Sequence, residues 1–598
     1  VIAFCKVQID SPLPQLSREF DYIIPEGMLL EVGQVVSVPF GRQQQPKTAV
    51  VTKLVDSSEF ATAEVLQVLG PKIMTSGFIS YLQTVAKRQA ISPGELLRLA
   101  ITTRPKRKAD FTQENSSIPE WVLQDLGGKT ELDSHTAEIV SSTQRLISGS
   151  VQPEWALTAL QSALSAGGGV IINLPDHRHI RRFRSLARLY EIEDQILWVD
   201  EYKTPSKRFW VQQRLLKDGG ILVGSRSVMF FDVKDLQRII VVNDLDPSHE
   251  SESSPYLATR ELAFIRGDTQ QASVHVISHI PSAEVIRLSE LGYLKMIHDN
   301  RSPRVSFGLE SQISTNKLID AAIKVGPVLI VTGFAGDSAA IYCKSCRHSG
   351  NCIRCGGSIY MPTNESYRCR TCSSAARPRC VFCGSSEFLR GAKGAARTAA
   401  DFGKIIPGVR VIESSQSKPV SSITGKVLVV ATAGAIPESE NGYELSVIDQ
   451  AQVFLSRESL RALEHSLRIW TDAASHLSTS GQLHFANFDG EVVRKFSIGQ
   501  QLQLLQAESA QRKQLGLSPW RRLGIVEGDT ERLNRLADTL SSHAEIISTK
   551  PKLVFSYQYK DGAQVSDALV QEQLSTPPRE GTRRKRGLKI VMDGQGLV

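Results

Sequence analysis

Long apolar runs are missing from this sequence: across 598 residues, none approaches the roughly 18 consecutive apolar positions of a membrane-spanning helix. Residues Val1 to Asp10 also lack a basic region followed by a long apolar stretch, so a secretory signal is not predicted and a cytoplasmic chain without membrane partners is expected. A strong excess of one charge is absent too. Seventy Lys and Arg against 62 Asp and Glu leave a formal +8, which permits a polyanionic partner without demanding one. The phosphate-cradling string GxxxxGK[ST] does not occur, and Gly167-Gly168-Gly169 is not followed by lysine, so nothing here reads as an ordinary P-loop nucleotide site. Cysteine is nearly absent outside one segment, with Cys5 alone standing apart.

The other eight cysteines form four CxxC pairs: Cys343/Cys346, Cys352/Cys355, Cys369/Cys372 and Cys380/Cys383. Two thiolates two residues apart grip one metal from a tight turn, and tetrahedral zinc takes two such pairs, so four pairs predict two zinc ions per chain. The surrounding residues are glycines and exposed-type cations (Gly356, Gly357, Gly384, Arg347, His348, Arg354, Arg368, Arg370), too few of them apolar to make a core without metal. A disulfide knot does not suit a cytosolic chain, and four adjacent copies exceed what a redox CxxC needs. Nested, alternating and neighbouring pairings are all sterically open. The nested one gives Cys343, Cys346, Cys380 and Cys383 to the first zinc and Cys352, Cys355, Cys369 and Cys372 to the second.

A chain of this length holds several cores. The opening stretch alternates short β-rich runs (Gln34 to Phe40, Thr48 to Val55, Val65 to Leu69) with Pro/Gly turns, then becomes helical near Tyr81 to Ala90. From Arg104 the composition is that of a charged linker. Further on, apolar strands (Val170 to Leu174, Ile196 to Val199, Ile221 to Val223, Ile239 to Val242, Val274 to Ile277) alternate with helical segments, which predicts a parallel α/β sheet. A second such set (Val328 to Val331, Val409 to Ile412, Val427 to Ala431, Leu445 to Ile448) brackets the cysteines. The tail reads as a small α+β domain with a basic run at Arg583 to Arg586.

Four CxxC pairs inside the second of two α/β lobes, behind a β-rich N-terminal domain, resemble the PriA family of bacterial replication-restart helicases. Further landmarks agree: Phe20-Asp21-Tyr22, Pro25-Glu26-Gly27, Val38-Pro39-Phe40-Gly41, Ile91-Ser92-Pro93-Gly94, Gly224-Ser225-Arg226-Ser227 and Leu517-Ser518-Pro519-Trp520. The resemblance implies a multidomain α/β protein with two RecA-like, superfamily 2 helicase-like lobes. Its expected domains are a DNA 3′-end-binding domain at 1–103 and a linker at 104–143, where the family's winged helix is absent. Two degenerate helicase lobes follow at 144–320 and 321–508, the second holding the zinc insert at 341–386, with a C-terminal domain at 509–598. It further implies DNA replication restart and roles in DNA repair and recombination. The implied partners are branched and single-stranded DNA, forks and D-loops, primosome or replisome-loading proteins and single-stranded-DNA-binding protein, in a nucleoid-associated setting.

By the same resemblance, Asp21 accepts a terminal 3′ hydroxyl and Phe20 faces the last base, with Tyr22 beside them, while the lysine the family offers near this pocket is replaced by Ala63. Read as a bare strand, Phe20 and Tyr22 would instead be alternating core residues and Asp21 a solvated neighbour. The P-loop counterpart is Leu146 to Pro153, which keeps Gly149 and Ser150 but has Gln152 for the lysine and Pro153 for the hydroxyl residue. The acidic box corresponds to Asn243-Asp244-Leu245-Asp246, and the arginine-finger region to Thr471 to His476, which contains no arginine. ATP binding is therefore doubtful, no catalytic residue is assigned, and the expected function is fork recognition without ATPase activity, as in the branch of the family whose helicase motifs have eroded. The alternative is an active ATP-dependent 3′–5′ helicase with divergent motifs. Arg181, Arg182 and Arg184 are candidate phosphate contacts or simply a solvated helix face.

Overall fold

The computed structural model describes residues 3–593 except 103–117, 127–133, 143, 148–149, 202–203, 299–303, 308–311, 334–338, 346–349, 351, 355–358, 362–366, 370–378, 381–382, 391–394, 407, 450, 456–458, 487–489, 550 and 576–587. The basic run Arg583 to Arg586 and cysteines Cys346, Cys355 and Cys372 lie outside the described residues. The chain divides into two compact units: Val1–Ile139, Trp155–His298 and Gln506–Val598 form one, Val140–Glu154 and Asp299–Leu505 the other.

The first unit begins with strands β1 (Phe4–Ile9), β2 (Phe20–Ile23), β3 (Gln34–Phe40), β4 (Gln45–Val55) and β5 (Gln67–Lys72) in the antiparallel order β2-β1-β4-β3-β5. Alternation decides which face is buried: Cys5, Val7 and Ile9 are sealed with Tyr22, Val36, Val38, Ala49 and Val51, whereas Lys6 points the other way. A bridge from Ile23 to Glu64 folds the connecting segment onto the β2 edge, so that edge is not left open. Helices α1 (Ser76–Gln89) and α2 (Pro93–Ala100) follow, α1 capped by Thr75, whose side chain accepts from the Phe78 N–H. Gly33 makes the junction possible. Its φ is +91°, and a Cβ there would stand 1.7 Å from the Met74 carbonyl oxygen, so no other residue fits.

The middle of this unit is a seven-stranded, wholly parallel sheet. In chain order its strands are β6 (Thr136–Ile139), β7 (Gly169–Asn173), β8 (Ile196–Trp198), β9 (Ile221–Gly224), β10 (Leu236–Val242), β11 (Ser273–Ser278) and β12 (Lys295–His298); across the sheet they run β8-β9-β7-β10-β11-β6-β12. Strands such as β7 are buried along their whole length, as a sheet covered on both faces requires. Phe78, Leu82 and Val85 of α1 share one core with Ile171, Leu222 and Val274 of this sheet. The C-terminal part adds a four-stranded antiparallel sheet, in the order Glu545–Ser548, Leu553–Tyr557, Arg522–Glu527, Lys589–Met592, with helices Thr530–Leu540 and Gly562–Leu574. Ala90 at the end of α1 lies in its core.

The second unit holds a six-stranded parallel sheet: Val305–Phe307, Leu477–Ala486, Tyr443–Asp449, Val328–Thr332, Val427–Thr432, Arg410–Ser414. The short strand Val305–Phe307 pairs with Leu477–Ala486 and so belongs to this sheet. Short antiparallel strands Ala339–Cys343, Ile359–Met361, Arg368–Cys369 and Phe388–Arg390 form the cysteine-bearing insert after Val328–Thr332.

Gly33→Ala should destabilise the first unit by about 1–3 kcal/mol, since positive φ and the fixed Met74 carbonyl both oppose a Cβ. Hydrogen exchange would show the loss as faster amide exchange across β3 and α1 than in the wild type.

Candidate functional site

A cavity of about 570 Å³ opens on the N-terminal sheet, lined among others by Lys6, Arg18, Phe20, Asp21, Tyr22, Phe40, Phe60 and Ala63. Strand β2 carries the three residues expected from sequence, and the structure gathers all three here. They are not equivalent. Tyr22 is buried and its hydroxyl donates to the Pro39 carbonyl at 2.9 Å, so it is a wall. Phe20 is half-buried, edge-on to Phe40 with centroids 5.1 Å apart, and carries the Arg18 guanidinium 5.0 Å from its ring centre.

Asp21 is held by residues that sequence reasoning missed. The antiparallel register sets Lys6 of β1 directly opposite it, and the ammonium lies 3.0 Å from Oδ1 and 3.3 Å from Oδ2. The Ser58 hydroxyl donates to Oδ2 at 2.5 Å while accepting from the Phe60 and Ala61 N–H groups. Burial alone would raise the Asp21 pKa, but hydrogen bonds from Ser58 and Lys6 and the lysine charge outweigh it and hold the carboxyl below its ordinary value. Ala63 lines the cavity, as the sequence reading implies, and its carbonyl accepts from the Ile23 N–H. The cation comes from the opposite strand instead. Alternation showed that Lys6 leaves the core face, but only strand register could show what it meets. Phe60, 78% exposed at the rim, gave no sequence signal.

In the cysteine insert, the sulfurs of Cys343, Cys380 and Cys383 lie within 4.8 Å of one another, Cys343 and Cys383 at 3.4 Å. Ligands on one tetrahedral zinc with bonds near 2.3 Å stand about 3.8 Å apart, so this donor set suits that geometry. The turn that presents the second pair is closed by Gly384, φ +76°, whose N–H donates to the Cys380 carbonyl. Cys352 and Cys369 are buried together with Ile341 and Ile359. None of the six described cysteines is in a disulfide.

Where the sequence places a P-loop counterpart, between strand β6 and the helix Glu154–Leu164, the chain forms an antiparallel hairpin: Gln144 pairs with Pro153, Arg145 with Gln152, Leu146 with Val151 and Ile147 with Ser150. Gly149 lies outside the described residues. A phosphate cradle needs successive N–H groups turned toward the ligand. In this hairpin Gln152 is buried and Pro153 has no N–H.

The acidic-box counterpart is likewise occupied by its own neighbours. Asp244 is buried 3.7 Å from the Arg260 guanidinium and accepts from the Ser278 hydroxyl at 2.8 Å. Asn243, at φ +52°, lies 3.4 Å from the His179 ring, which itself contacts Asp176 at 2.8 Å. Burial opposes ionisation of Asp176, yet His179 and Arg178 together hold its carboxyl far below the usual range. Thr471 to His476 closes the helix Ala462–Ser475, with the Thr471 hydroxyl turned back to the Leu467 carbonyl. Of the candidate phosphate-binding arginines, Arg184 is committed to Asp200 at 3.0 Å, Glu193 at 3.6 Å and the Trp198 ring, which leaves Arg181 as the exposed one.

Residues 6–102 match the family model of the PriA 3′DNA-binding domain. Over 581 residues, 88% of this chain and 87% of the relatives, the sequence is 25% identical to the probable replication restart protein PriA of Mycobacterium tuberculosis and of Mycobacterium bovis. The replication restart protein PriA of Rickettsia conorii is 23% identical over 401 residues, 62% of this chain and 60% of that protein. Likeness to the PriA proteins thus extends over most of the chain, as the motifs implied. Among solved structures, a variant of Saccharomyces cerevisiae Dbp5 bound to RNA and ADP BeF3 aligns over 69% of this chain and 91% of its own at 8% identity, with a TM-score of 0.33. Among the described residues, no helix is long and apolar enough to cross a membrane.

The lowered Asp21 pKa sets a pH window. Its folded value lies below the unfolded one, so the stabilisation is complete above the unfolded carboxylate range, near about pH 3.9, and is lost as pH falls through the folded value. Carbon-13 NMR titration should find the Asp21 midpoint below that of an exposed aspartate, with Ser58→Ala moving it upward.

Proposed function

We propose that this chain recognises stalled or abandoned replication forks and D-loops by binding branched DNA and the 3′ end of a strand. There it recruits primosome components for reloading of the replisome, and it does so without hydrolysing ATP. The observation that carries the reading is the cavity at Asp21, inside the segment that matches the PriA 3′DNA-binding domain. An ionised carboxylate accepts a hydroxyl proton and repels a terminal phosphate, so it can tell a free 3′ end from a blocked one. A half-buried aromatic beside it offers a stacking face that tolerates any base, at about 1–3 kcal/mol. Phe20 fills that role, Tyr22 shapes the wall, and Phe60 at the rim is placed to cover the nucleotide.

The two parallel sheets act in this reading as RecA-like lobes kept for shape. Hydrolysis needs a lysine on the β and γ phosphates and carboxylates on magnesium. Gln152 in a hairpin, Asn243 in the leading box position and Asp244 paired with Arg260 supply neither. The insert binds two zinc ions in the nested arrangement, which the approach of Cys343 to Cys380 and Cys383 supports for the first site. Zinc stiffens a segment too poor in apolar residues to fold alone, and the stiffened insert presents a surface to replisome-loading proteins, single-stranded-DNA-binding protein or a strand arm. A cytoplasmic, nucleoid-associated protein that also serves DNA repair and recombination follows from these partners.

Fork DNA ending in a 3′ hydroxyl should bind about tenfold more tightly than the same fork ending in a 3′ phosphate, and Asp21→Asn should erase the difference while leaving affinity for the phosphate end no worse. Equal wild-type binding to both ends in a fluorescence-anisotropy titration would sink the reading. Fork-stimulated ATP turnover should be absent, and Gln152→Lys alone should not create it; vigorous turnover by the wild type would favour the active helicase. Elemental analysis should return two zinc ions per chain, with Cys343→Ser or Cys380→Ser each removing one and the same ion.

A further inference from the structure

Strand β1 carries an irregularity at one place: its pairing with β4 shifts between Lys6 and Val7, so that Lys6 faces Lys53, Val7 faces Val51, and Thr52 is the extra residue. The Thr52 hydroxyl donates to the Lys6 carbonyl at 3.1 Å, pinning the bulge from beneath. The bulged strand is β4, so the kink falls at Thr52, while Lys6 leaves the core face by the plain alternation of β1 between Cys5 and Val7. On its other side β1 pairs with β2 in regular register, which brings Lys6 and Asp21 to the same face of the sheet at the cavity.

Donor and acceptor capacity then limits what Lys6 does. An ammonium has three N–H groups. Two suffice for the contacts to Oδ1 and Oδ2 of Asp21, and the Lys6 side chain remains 32% exposed, against 8% for Asp21. One N–H is thus left over beyond these two contacts. The carboxylate, with about four acceptor sites, keeps room for a further donor after Lys6 and Ser58. Of the described residues lining the cavity, Lys6 and Arg18 alone carry positive charge, beside the carboxylates of Glu19 and Asp21, and the Arg18 guanidinium rests on the Phe20 ring; Ala63 has none to offer. A DNA end brings a phosphate diester one sugar away from its terminal hydroxyl. The ammonium attracts a diester placed beside it, while a terminal phosphate standing where the hydroxyl belongs would still meet the ionised Asp21 carboxylate and lose the hydroxyl's hydrogen bond.

We infer that Lys6 is a DNA-contacting and positioning residue of this pocket, fixing the Asp21 carboxylate for the terminal hydroxyl and giving its remaining N–H to the last internucleotide phosphate. The inference rests on the reading of the cavity as a 3′-end site. Lys6 thereby supplies from β1 the cation that the Ala63 position lacks.

The test is a salt titration of fork binding by fluorescence anisotropy. Lys6→Met should bind a 3′-hydroxyl fork about tenfold more weakly than the wild type at low salt, and its log–log salt slope should fall by about one; Lys6→Arg should keep the wild-type slope. Replacing the last internucleotide phosphate by neutral methylphosphonate should cost the wild type a similar factor and cost Lys6→Met nothing further. An unchanged slope in Lys6→Met, or an equal methylphosphonate penalty in both proteins, overturns the inference. Should Lys6→Met fail to fold by circular dichroism, the wild type decides: no loss on methylphosphonate overturns it. Wild-type protein that discriminates hydroxyl from phosphate ends while Lys6→Met does so with full affinity refutes the role of Lys6 and leaves the pocket reading standing. Indifference of the wild type to the end group, with the slope still dependent on Lys6, refutes the pocket reading and the hydroxyl-positioning half of the inference together.

Discussion

Arg266 has no exposed surface, and a guanidinium left uncompensated in an apolar interior costs several kcal/mol. It is compensated from two directions. Gln270 of its own helix, Thr259–Gln270, accepts at 2.6 Å and the Met229 carbonyl at 3.3 Å, while the rings of Phe78 and Tyr81 from α1 lie 4.9 and 5.5 Å away. The same helix carries Glu261, whose carboxyl burial drives upward in pKa; Asp593 pushes the same way, and Arg88, Arg522 and Arg260 oppose it. Gln89 donates to Glu261, and Arg522 is bound to Asp593 at 2.6 Å and to the Arg88 carbonyl at 3.3 Å. Residues near 88, 261, 522 and 593 must therefore be assembled together, or several buried charges lose their partners at once. Breaking one such pair costs about 3–5 kcal/mol.

That constraint explains why the first unit is built from three separated stretches of chain. Helix α1 belongs by sequence to the β-rich N-terminal part, yet its apolar face completes the core of the seven-stranded sheet and its last residue reaches the core of the C-terminal sheet. The cavity at Asp21 thus sits on a sheet whose neighbours are fixed by buried contacts. A polar site binds selectively when its donors and acceptors are held in place before a ligand arrives, and the Lys6, Ser58 and Asp21 contacts meet that condition.

The two parallel sheets rest on apolar packing rather than on the segment that follows β6. Strands such as Gly169–Asn173 and Val427–Thr432 are buried along their whole length. The segment after β6 pairs with itself as the hairpin Gln144–Pro153. The buried Asp244 carboxylate is matched within the fold, by the Arg260 guanidinium at 3.7 Å and the Ser278 hydroxyl at 2.8 Å.

Much of this was readable from the chain. The buried strands announced themselves as short apolar runs: each of the nine read from sequence coincides with a strand of the parallel sheets, although β10 starts at Leu236 rather than Ile239. Gln34 to Phe40 coincides with β3, whereas Thr136–Ile139, Lys295–His298, Val305–Phe307 and Leu477–Ala486 gave no such signal. The CxxC spacing identified the metal-ligand candidates because a tight turn fixes thiolate geometry locally. The lack of any GxxxxGK[ST] string was equally plain, since that motif is defined by residue identity. Strand register was not readable, because it depends on pairing between segments with no local signature. It was register that placed Lys6 opposite Asp21, joined Val305–Phe307 to Leu477–Ala486, and paired the segment after β6 as a hairpin. The approach of Cys343 to Cys380 and Cys383, and the joining of three distant stretches around Glu261 and Arg266, were likewise settled only by tertiary structure, because buried charges and thiolates choose partners by distance in space.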